Sequence, residues 1–265
     1  KYADFYGVAC GKENVLFTNN DTAYETAISL NNKGIKINAI IDIREQNKSD
    51  LTNEINKAGI KIYNSYTVID TKGYKKINKI TIMKLSKDGK TVTDSKIDIN
   101  CDCLGVSGGW TPAVHLFTQS GGKLKFDDND NIFIPNKYPS DQLSIGSCNG
   151  NLELDDIISN INVSLKNFLK IDKTNFENLK INSSKSMSKR NIWLLPSNKT
   201  VSKTKAFVDF QNDATAKDIK LALREGFRSI EHVKRYTTTG MGTDQGKLGN
   251  MNALGIISDT SNVKM

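Results

Sequence analysis

Apolar positions along the chain first follow the order strand, helix, strand. Residues 13–45, ENVLFTNNDTAYETAISLNNKGIKINAIIDIRE, hold the apolar run VLF, a polar turn, a helical stretch, a glycine and then INAIID. Ala23, Ala27 and Leu30 recur at intervals of three to four, which puts them on one helix face, and Gly34 stands where the helix should end. This is the pattern of the first half of a dinucleotide-binding fold. A second helical stretch, SDLTNEINKAG from Ser49, precedes KIYNSYTVID, the next strand. After it, KKINKITIMKLSKDGKTVTDSKIDINCDCLGVSGG alternates apolar and polar residues about the turn KDGK and predicts a β-hairpin or meander. Cys101 and Cys103 fall two apart on what reads as one of its strands, so both should face one way, into a core.

From about Leu152 to Lys170 the stripe Leu154, Ile157, Ile158, Ile161, Leu165 and Leu169 predicts a helix. Residues 171–204, polar and rich in Lys, Ser and Asn apart from NIWLLP, read as a connecting segment. The last section is helical. Thr215 and Asp218 have capping-box spacing, Ile219, Ala222 and Leu223 face inward, and Gly226 stops the helix. Another helix runs from Ser229 through Tyr236 to the turn TTTGMG.

Composition narrows the class. With 265 residues and 37% hydrophobic residues the chain is long enough to bury a core, as one large domain or two small ones. No apolar run is long enough to span a bilayer, and the first residues lack the pattern of a signal peptide, so a cytoplasmic location is expected. The net charge of +8 comes from lysines scattered among Asn, Asp and Ile with no basic stripe, which reads as a solvated surface and argues against nucleic-acid binding. Cys10, Cys101, Cys103 and Cys148 lack metal-site spacing and read as free, buried thiols in a reducing compartment.

The nucleotide motif is degenerate. Thr18, Asn20 and Ala23 occupy the positions of G-x-G-x-x-G/A. The small packing residue is kept, whereas the glycines that admit a pyrophosphate are gone and Asp21 brings a negative charge to the helix N-terminus. Asp42 closes the second strand at the offset where a carboxylate accepts the ribose hydroxyls of NAD; an acidic cap at a strand end is the other reading. His115 reads as a hydrogen-bonded structural residue.

VSGGWTPAVHLFTQSGGKLKFD and KAFVDFQNDATAKDIKLALREGFRSIEHVKRYTTTGMGTDQGKLGNMNAL, with TNNDTAY and IIDIR, resemble the alpha subunit of heterotetrameric sarcosine oxidases across essentially the whole chain. The resemblance implies an α/β fold: a Rossmann-like domain of the two-dinucleotide flavoprotein type over residues 1–150, a helix and connector over 151–204, and over 205–265 a small helical region. That last region resembles the 2Fe–2S domain of bacterioferritin-associated ferredoxins without its cluster, because Asp244 stands where its G-M-G-x-C-Q-G has cysteine and FVDF lacks a preceding C-x-C. SIGSCNG falls where such flavoproteins carry a G-D pair against flavin phosphates; Gly146 remains and Ser147 replaces the acid. The resemblance further implies an internal piece of a longer subunit, inactive alone. The family's enzyme demethylates sarcosine to glycine oxidatively, passes the carbon to tetrahydrofolate and makes hydrogen peroxide from oxygen. Its beta subunit holds substrate and FAD, its alpha subunit NAD, and FMN lies between them; gamma and delta subunits complete it. Related opine and proline oxidases use similar alpha chains, and a scaffolding or nucleotide-binding module with decayed motifs is the alternative of another class.

The block from Phe207 to Lys247 suits an anion. Lys234 and Arg235, the hydroxyls of Thr237, Thr238 and Thr239, and the backbone of Gly240 are expected to hold the FMN phosphate, with Met241 on the isoalloxazine ring and Gln245 and Lys247 beside them. A solvent-facing basic pair at a helix C-terminus, with threonines merely closing a turn, is the plainer reading.

Overall fold

The computed structural model describes residues 1–45, 50–170 and 190–265. They divide into two compact units. The first comprises Lys1–Thr18, Thr22–Val106 and Arg190–Met265; the second comprises Asn19–Asp21 and Ser107–Lys189. The units cut across the boundaries expected at 150 and 204.

The first unit opens with a short helix, α1 (Tyr2–Tyr6), and then builds the expected strand, helix, strand: β1 (Asn14–Thr18), α2 (Thr22–Asn32) and β2 (Ile37–Asp42). Gly34 takes a left-handed φ of 77° just past α2, the conformation that lets the chain reverse toward β2 without a Cβ penalty. Then come α3 (Asp50–Lys57) and β3 (Lys61–Asn64); Ser49, read as the start of that helix, lies outside the described residues. β4 (Tyr66–Gly73), β5 (Ile77–Leu85) and β6 (Val92–Asn100) form an antiparallel meander about the KDGK turn, before β7 (Cys103–Ser107) returns to the first sheet. The sheet order is β3-β2-β1-β7, with β1 to β2 and β2 to β3 parallel.

Burial explains the layering. Along β2, Ile40 packs with Tyr24, Ala27 and Ile55 from α2 and α3, while Ala39 and Ile41 pack with Ile80 and Ile82 of the meander. Both faces of β2 are covered, so INAIID is a nearly continuous apolar run. Each fully buried isoleucine here contributes about 1.5–3 kcal/mol of transfer free energy.

Two strands expected to be continuous are broken. KIYNSYTVID splits at Ser65, whose φ of 59° turns the chain from the parallel sheet into the meander; Ser65 N–H donates to Arg44 O, and Leu85 N–H to Ser65 O. The stretch holding the two cysteines changes sheet at Cys101–Asp102, so they do not share a face: Cys101 is buried against Ile80 and Ile82, and Cys103 is only half-buried. Cys10 is exposed and Cys148 half-buried, so only Cys101 matches the expected buried thiol.

The second unit contains α4 (His115–Gln119), the hairpin β8 (Lys123–Asp127) and β9 (Ile132–Lys137), and α5 (Leu154–Leu169). His115 is exposed at the start of α4. The expected stripe forms a helix, yet Leu154 and Leu169 are exposed and Ile157, Ile158, Ile161 and Leu165 only half-buried.

The chain re-enters the first unit at Arg190, whose guanidinium donates to the carbonyls of Ile43, Ser86 and Lys87. The segment 171–204 was expected to be a connector. Residues 171–189 lie outside the described residues, and NIWLLP is part of a core: Trp193 and Leu194 pack against the C-terminal cluster. That cluster is built by β10 (Phe207–Asp209), β11 (Ala214–Thr215), α6 (Ala216–Arg224), α7 (Ile230–Thr237) and α8 (Asn250–Ser261). Thr215 N–H and Oγ1 both donate to Asp218 Oδ2, at 2.8 and 2.7 Å, starting α6 as its sequence predicts. Ile219 and Ala222 are buried as expected. α8 carries no clean stripe, and its Gly255 lies under the Trp193 ring, where a Cβ would come within 2.1 Å.

Candidate functional site

The expected site residues fall at the end of β2, at Gly146 and around the turn after α7, while the turn after β1 carries the degenerate nucleotide motif. In that first turn Asn19, Asn20 and Asp21 are all buried. Asn20 Nδ2 donates to Asn19 Oδ1 at 2.9 Å and reaches Ser107 O and Oγ, each at 3.2 Å. A glycine turn would leave this ground open for a ligand to meet the backbone; here a side-chain amide fills it.

Asp42 ends β2 with a carboxylate already engaged. Tyr24 Oη donates to Oδ2 at 3.0 Å. Arg44 gives Nη2 to Oδ2 at 2.7 Å, Nε to both oxygens at 3.1 Å, and its backbone N–H to Oδ1 at 2.8 Å. Asp42 is 1% exposed, and the Arg44 side chain lies 5.8 Å from the Tyr24 ring centre. A carboxylate offers about four lone-pair sites, so a ribose hydroxyl would have to displace one of these donors. Neither Tyr24 nor Arg44 stood out in the sequence. Gly146 is buried in the second unit with φ 80°, opening a 3-10 turn over Gly146–Asn149 while Ser147 is exposed.

The second turn leaves α7 and gathers most of the remaining expected residues. Thr237 Oγ1 donates to Val233 O at 2.8 Å, which leaves the Thr239 hydroxyl to donate to Thr237 Oγ1, also at 2.8 Å. Thr238, with φ 57°, gives its hydroxyl to Thr237 O. The buried hydroxyls of Thr237 and Thr239 are therefore spent on closing the helix.

What holds the glycine-rich segment after them is a pair of residues the sequence reading did not single out. Asp209 Oδ2 accepts Gly240 N–H at 2.7 Å, and its Oδ1 accepts Gln211 and Asn212 N–H at 2.8 and 3.1 Å. Burial works to raise the Asp209 carboxyl; the N–H groups of Gly240, Asn212 and Gln211 and the Asn212 side-chain amide outweigh it and hold the group below its ordinary value. Gln211 Oε1 accepts Thr243 N–H at 2.6 Å and its hydroxyl at 2.9 Å. Asn250 packs so closely that a Cβ at Gly240 or Gly246 would come within 2.3 or 2.1 Å of its Oδ1, and both glycines have positive φ. The legible signal was the D-x-Q-N run itself, which suits an Asx-type turn.

Asp244, at the cysteine position of the ferredoxin motif, accepts N–H from Gly246 and Leu248. Gln245 Nε2 donates to Gly242 O. Arg235, Met241 and Lys247 are exposed on this frame. Lys234 is half-buried and, with Ile230, Val233, Thr239 and Leu254, lines a cavity of about 130 Å³ between α7 and α8. Asp42 ends β2 and Gly146 belongs to the other unit, so neither is a residue of this turn.

Residues 203–265 match the family model of the sarcosine oxidase A3 domain. A sarcosine oxidase subunit alpha from Rhizobium meliloti (strain 1021) is 32% identical over 99% of this chain and 25% of its own length. One from Corynebacterium sp. (strain P-1) is 28% identical over 97% of this chain and 27% of its length. The chain thus spans about a quarter of these relatives. Among solved structures, L-proline dehydrogenase from P. horikoshii shares the fold, with a TM-score of 0.53 at 15% identity over 99% of this chain and 47% of that one. Among the described residues no helix is long and apolar enough to cross a membrane.

Proposed function

We propose that this chain, which belongs to the sarcosine oxidase alpha-subunit family, supplies the NAD-holding fold and one wall of the FMN site in an enzyme that demethylates sarcosine to glycine. In this reading beta, gamma and delta subunits complete a heterotetramer in the cytoplasm, the beta subunit bears FAD, tetrahydrofolate takes the carbon, and oxygen leaves as hydrogen peroxide.

The observation that carries the FMN part is the rigid turn after α7 with its exposed charge. Asp209, Gln211 and Asn250 hold the backbone of 238–246 in place, so Arg235, Lys247 and the half-buried Lys234 stand on a fixed frame for a phosphate. Met241, 54% exposed, offers a thioether to an aromatic ring. Thr237, Thr238, Thr239, Gly240 and Gln245 take the supporting part, because their polar groups bond within the turn. The chemistry supplied by a bound FMN is electron transfer to oxygen. The residues of this chain orient it and neutralise its phosphate.

For NAD the local residues do not make the usual cradle. Asn20 fills the turn, Asp21 adds negative charge, and Asp42 is bonded to Tyr24 and Arg44. The contribution to NAD is therefore placed in the fold, with Asp42 meeting a ribose only on exchange with its present donors and Gly146 at the flavoprotein-type position. These same facts favour the second reading, a scaffold whose nucleotide motif has decayed.

Co-expression of the full-length parent subunit with its partners should give a flavin spectrum and sarcosine-dependent peroxide; a well-folded complex with neither overturns the proposal. In that complex Lys234→Ala and Arg235→Ala should each lower FMN content several-fold, and unchanged FMN in both removes the proposed wall. Titration with NAD separates the readings of the first turn: saturable binding rejects the decayed scaffold.

A further inference from the structure

Three helices of the C-terminal cluster enclose a pocket that their own side chains leave open. Its floor is Ile219 of α6, Val233 of α7 and Ala253 and Ile257 of α8, all buried. The hydroxyls beside them are already spent: Thr237 gives its proton to Val233 O, and Thr239 gives its own to Thr237. The interior therefore asks a ligand for apolar surface and for no hydrogen bond. At about 130 Å³ it has room for a single six-membered ring or a branched chain of similar bulk, since a dry cavity of about 150 Å³ takes up benzene.

The mouth, by contrast, is charged. Ile230 and Glu231 are exposed at its rim, and Lys234, one turn further along α7, lines the wall half-buried. Among the described residues neither Glu231 nor Lys234 has an ion-pair partner, although residues three apart on a helix are placed to pair with each other. Water and salt screen the exposed Glu231; Lys234 stands against an apolar wall and is screened less, so its charge dominates inside the mouth. α8 enters the lining with its first turn, at Asn250 and Ala253, and adds the positive end of its dipole.

We propose that this pocket binds a small apolar monocarboxylate, with its ring or branched chain among Ile219, Val233, Ala253 and Ile257 and its carboxylate on the Lys234 ammonium at the mouth. Occupancy locks α7 to α8 at the root of the turn 238–246, and so stiffens the frame that carries Met241 and Lys247. The inference does not rest on the flavin reading. The two share Lys234, so in an assembled enzyme a pocket carboxylate and a flavin phosphate compete for one cation.

Benzoate is the probe, titrated without flavin into the 265-residue chain and followed by amide shifts and thermal melting. Saturable binding with a Kd on the order of 1 mM or tighter is expected, with a raised melting temperature. The shifts should centre on residues 230–239 and 250–257. Benzylamine, the same ring with the opposite charge, and toluene, with none, should each bind about fivefold more weakly. Lys234→Met keeps the apolar stem and should cost benzoate about five- to tenfold in affinity, whereas Glu231→Gln removes a competitor for Lys234 and should tighten it about twofold. Ala253→Leu fills the pocket and should abolish binding; Lys234→Met tests the site even where that added bulk disturbs α8. Arg235→Ala, outside the lining, should leave benzoate affinity unchanged, while the flavin reading requires it to lose FMN, so the two ideas fail separately. No saturable binding at millimolar benzoate, equal affinity for benzylamine or toluene, or unchanged affinity in Lys234→Met overturns the proposal.

Discussion

The turn after β1 and the turn after α7 both depart from the motifs they resemble, and they use their polar groups differently. In the first, glycines are replaced by side chains that fold inward, and Asn20 bridges to Ser107. In the second, Asn250 crowds the place a Cβ would take at Gly240 and Gly246, and Asp209 and Gln211 hold the backbone. The first turn spends its polar groups on itself and closes the backbone. The second spends carboxylate and amide groups on its backbone and leaves cations outside. Side-chain amides thus close the first turn, whereas the second keeps Arg235 and Lys247 exposed.

The largest effect that would break this comparison is expected at Asp209. Asp209→Ala leaves the N–H groups of Gly240, Gln211 and Asn212 without their acceptor, at a cost of about 2–4 kcal/mol given the worth of bonds to a charged group. Denaturant unfolding measures it, and a loss under about 0.5 kcal/mol, the range of neutral surface changes, would show that the turn does not need its carboxylate.

Acid should act on the same contacts. The folded Asp209 and Asp218 carboxyls lie below the ordinary value of 3.8, Asp218 chiefly through the Thr215 hydroxyl. Their stabilisation is present above the unfolded value and is lost as pH falls through the folded one. Stability attributable to them should therefore hold at neutral pH and decline below about pH 4. Asp209→Asn should reduce that decline in a melting series; an unchanged acid limb would assign it to other groups.

A smaller effect is expected at Asn20. Asn20→Ala removes bonds to Asn19 and Ser107 and should cost about 1 kcal/mol. If NAD affinity rises in that variant, the side chain was the obstacle to the ligand. Unchanged affinity would mean that Asp21 and Asp42 set the limit. Smallest for stability are Arg235→Ala and Lys247→Ala, exposed and expected within about 0.5 kcal/mol. They sharpen the comparison because a change in flavin content without a change in stability separates binding from framework.

Much of the architecture is legible in the sequence. The strand, helix, strand order at residues 14–42 and the meander follow from apolar spacing and turn glycines, and Thr215 with Asp218 announced α6. What escaped was long-range. Ser65 lies in a stretch that alternates like a single strand, and only its bonds to Arg44 and Leu85 show the chain leaving one sheet for another. α8 was hidden because Gly255 interrupts its apolar stripe, and the reason for that glycine is a tryptophan 62 positions earlier. At the candidate sites the residue types were visible and their availability was not. The hydroxyls of Thr237 and Thr239 look free in sequence and are consumed in the fold.

By itself the sequence determined the local elements and the family, since periodicity, capping and glycine placement act over a few residues and long motifs persist in order. The tertiary structure alone decided which polar groups remain for a ligand. A donor or acceptor is spent or free according to what the fold brings beside it, and Asp42 beside Tyr24 and Asp209 beside Gly240 are neighbours set by packing across the chain.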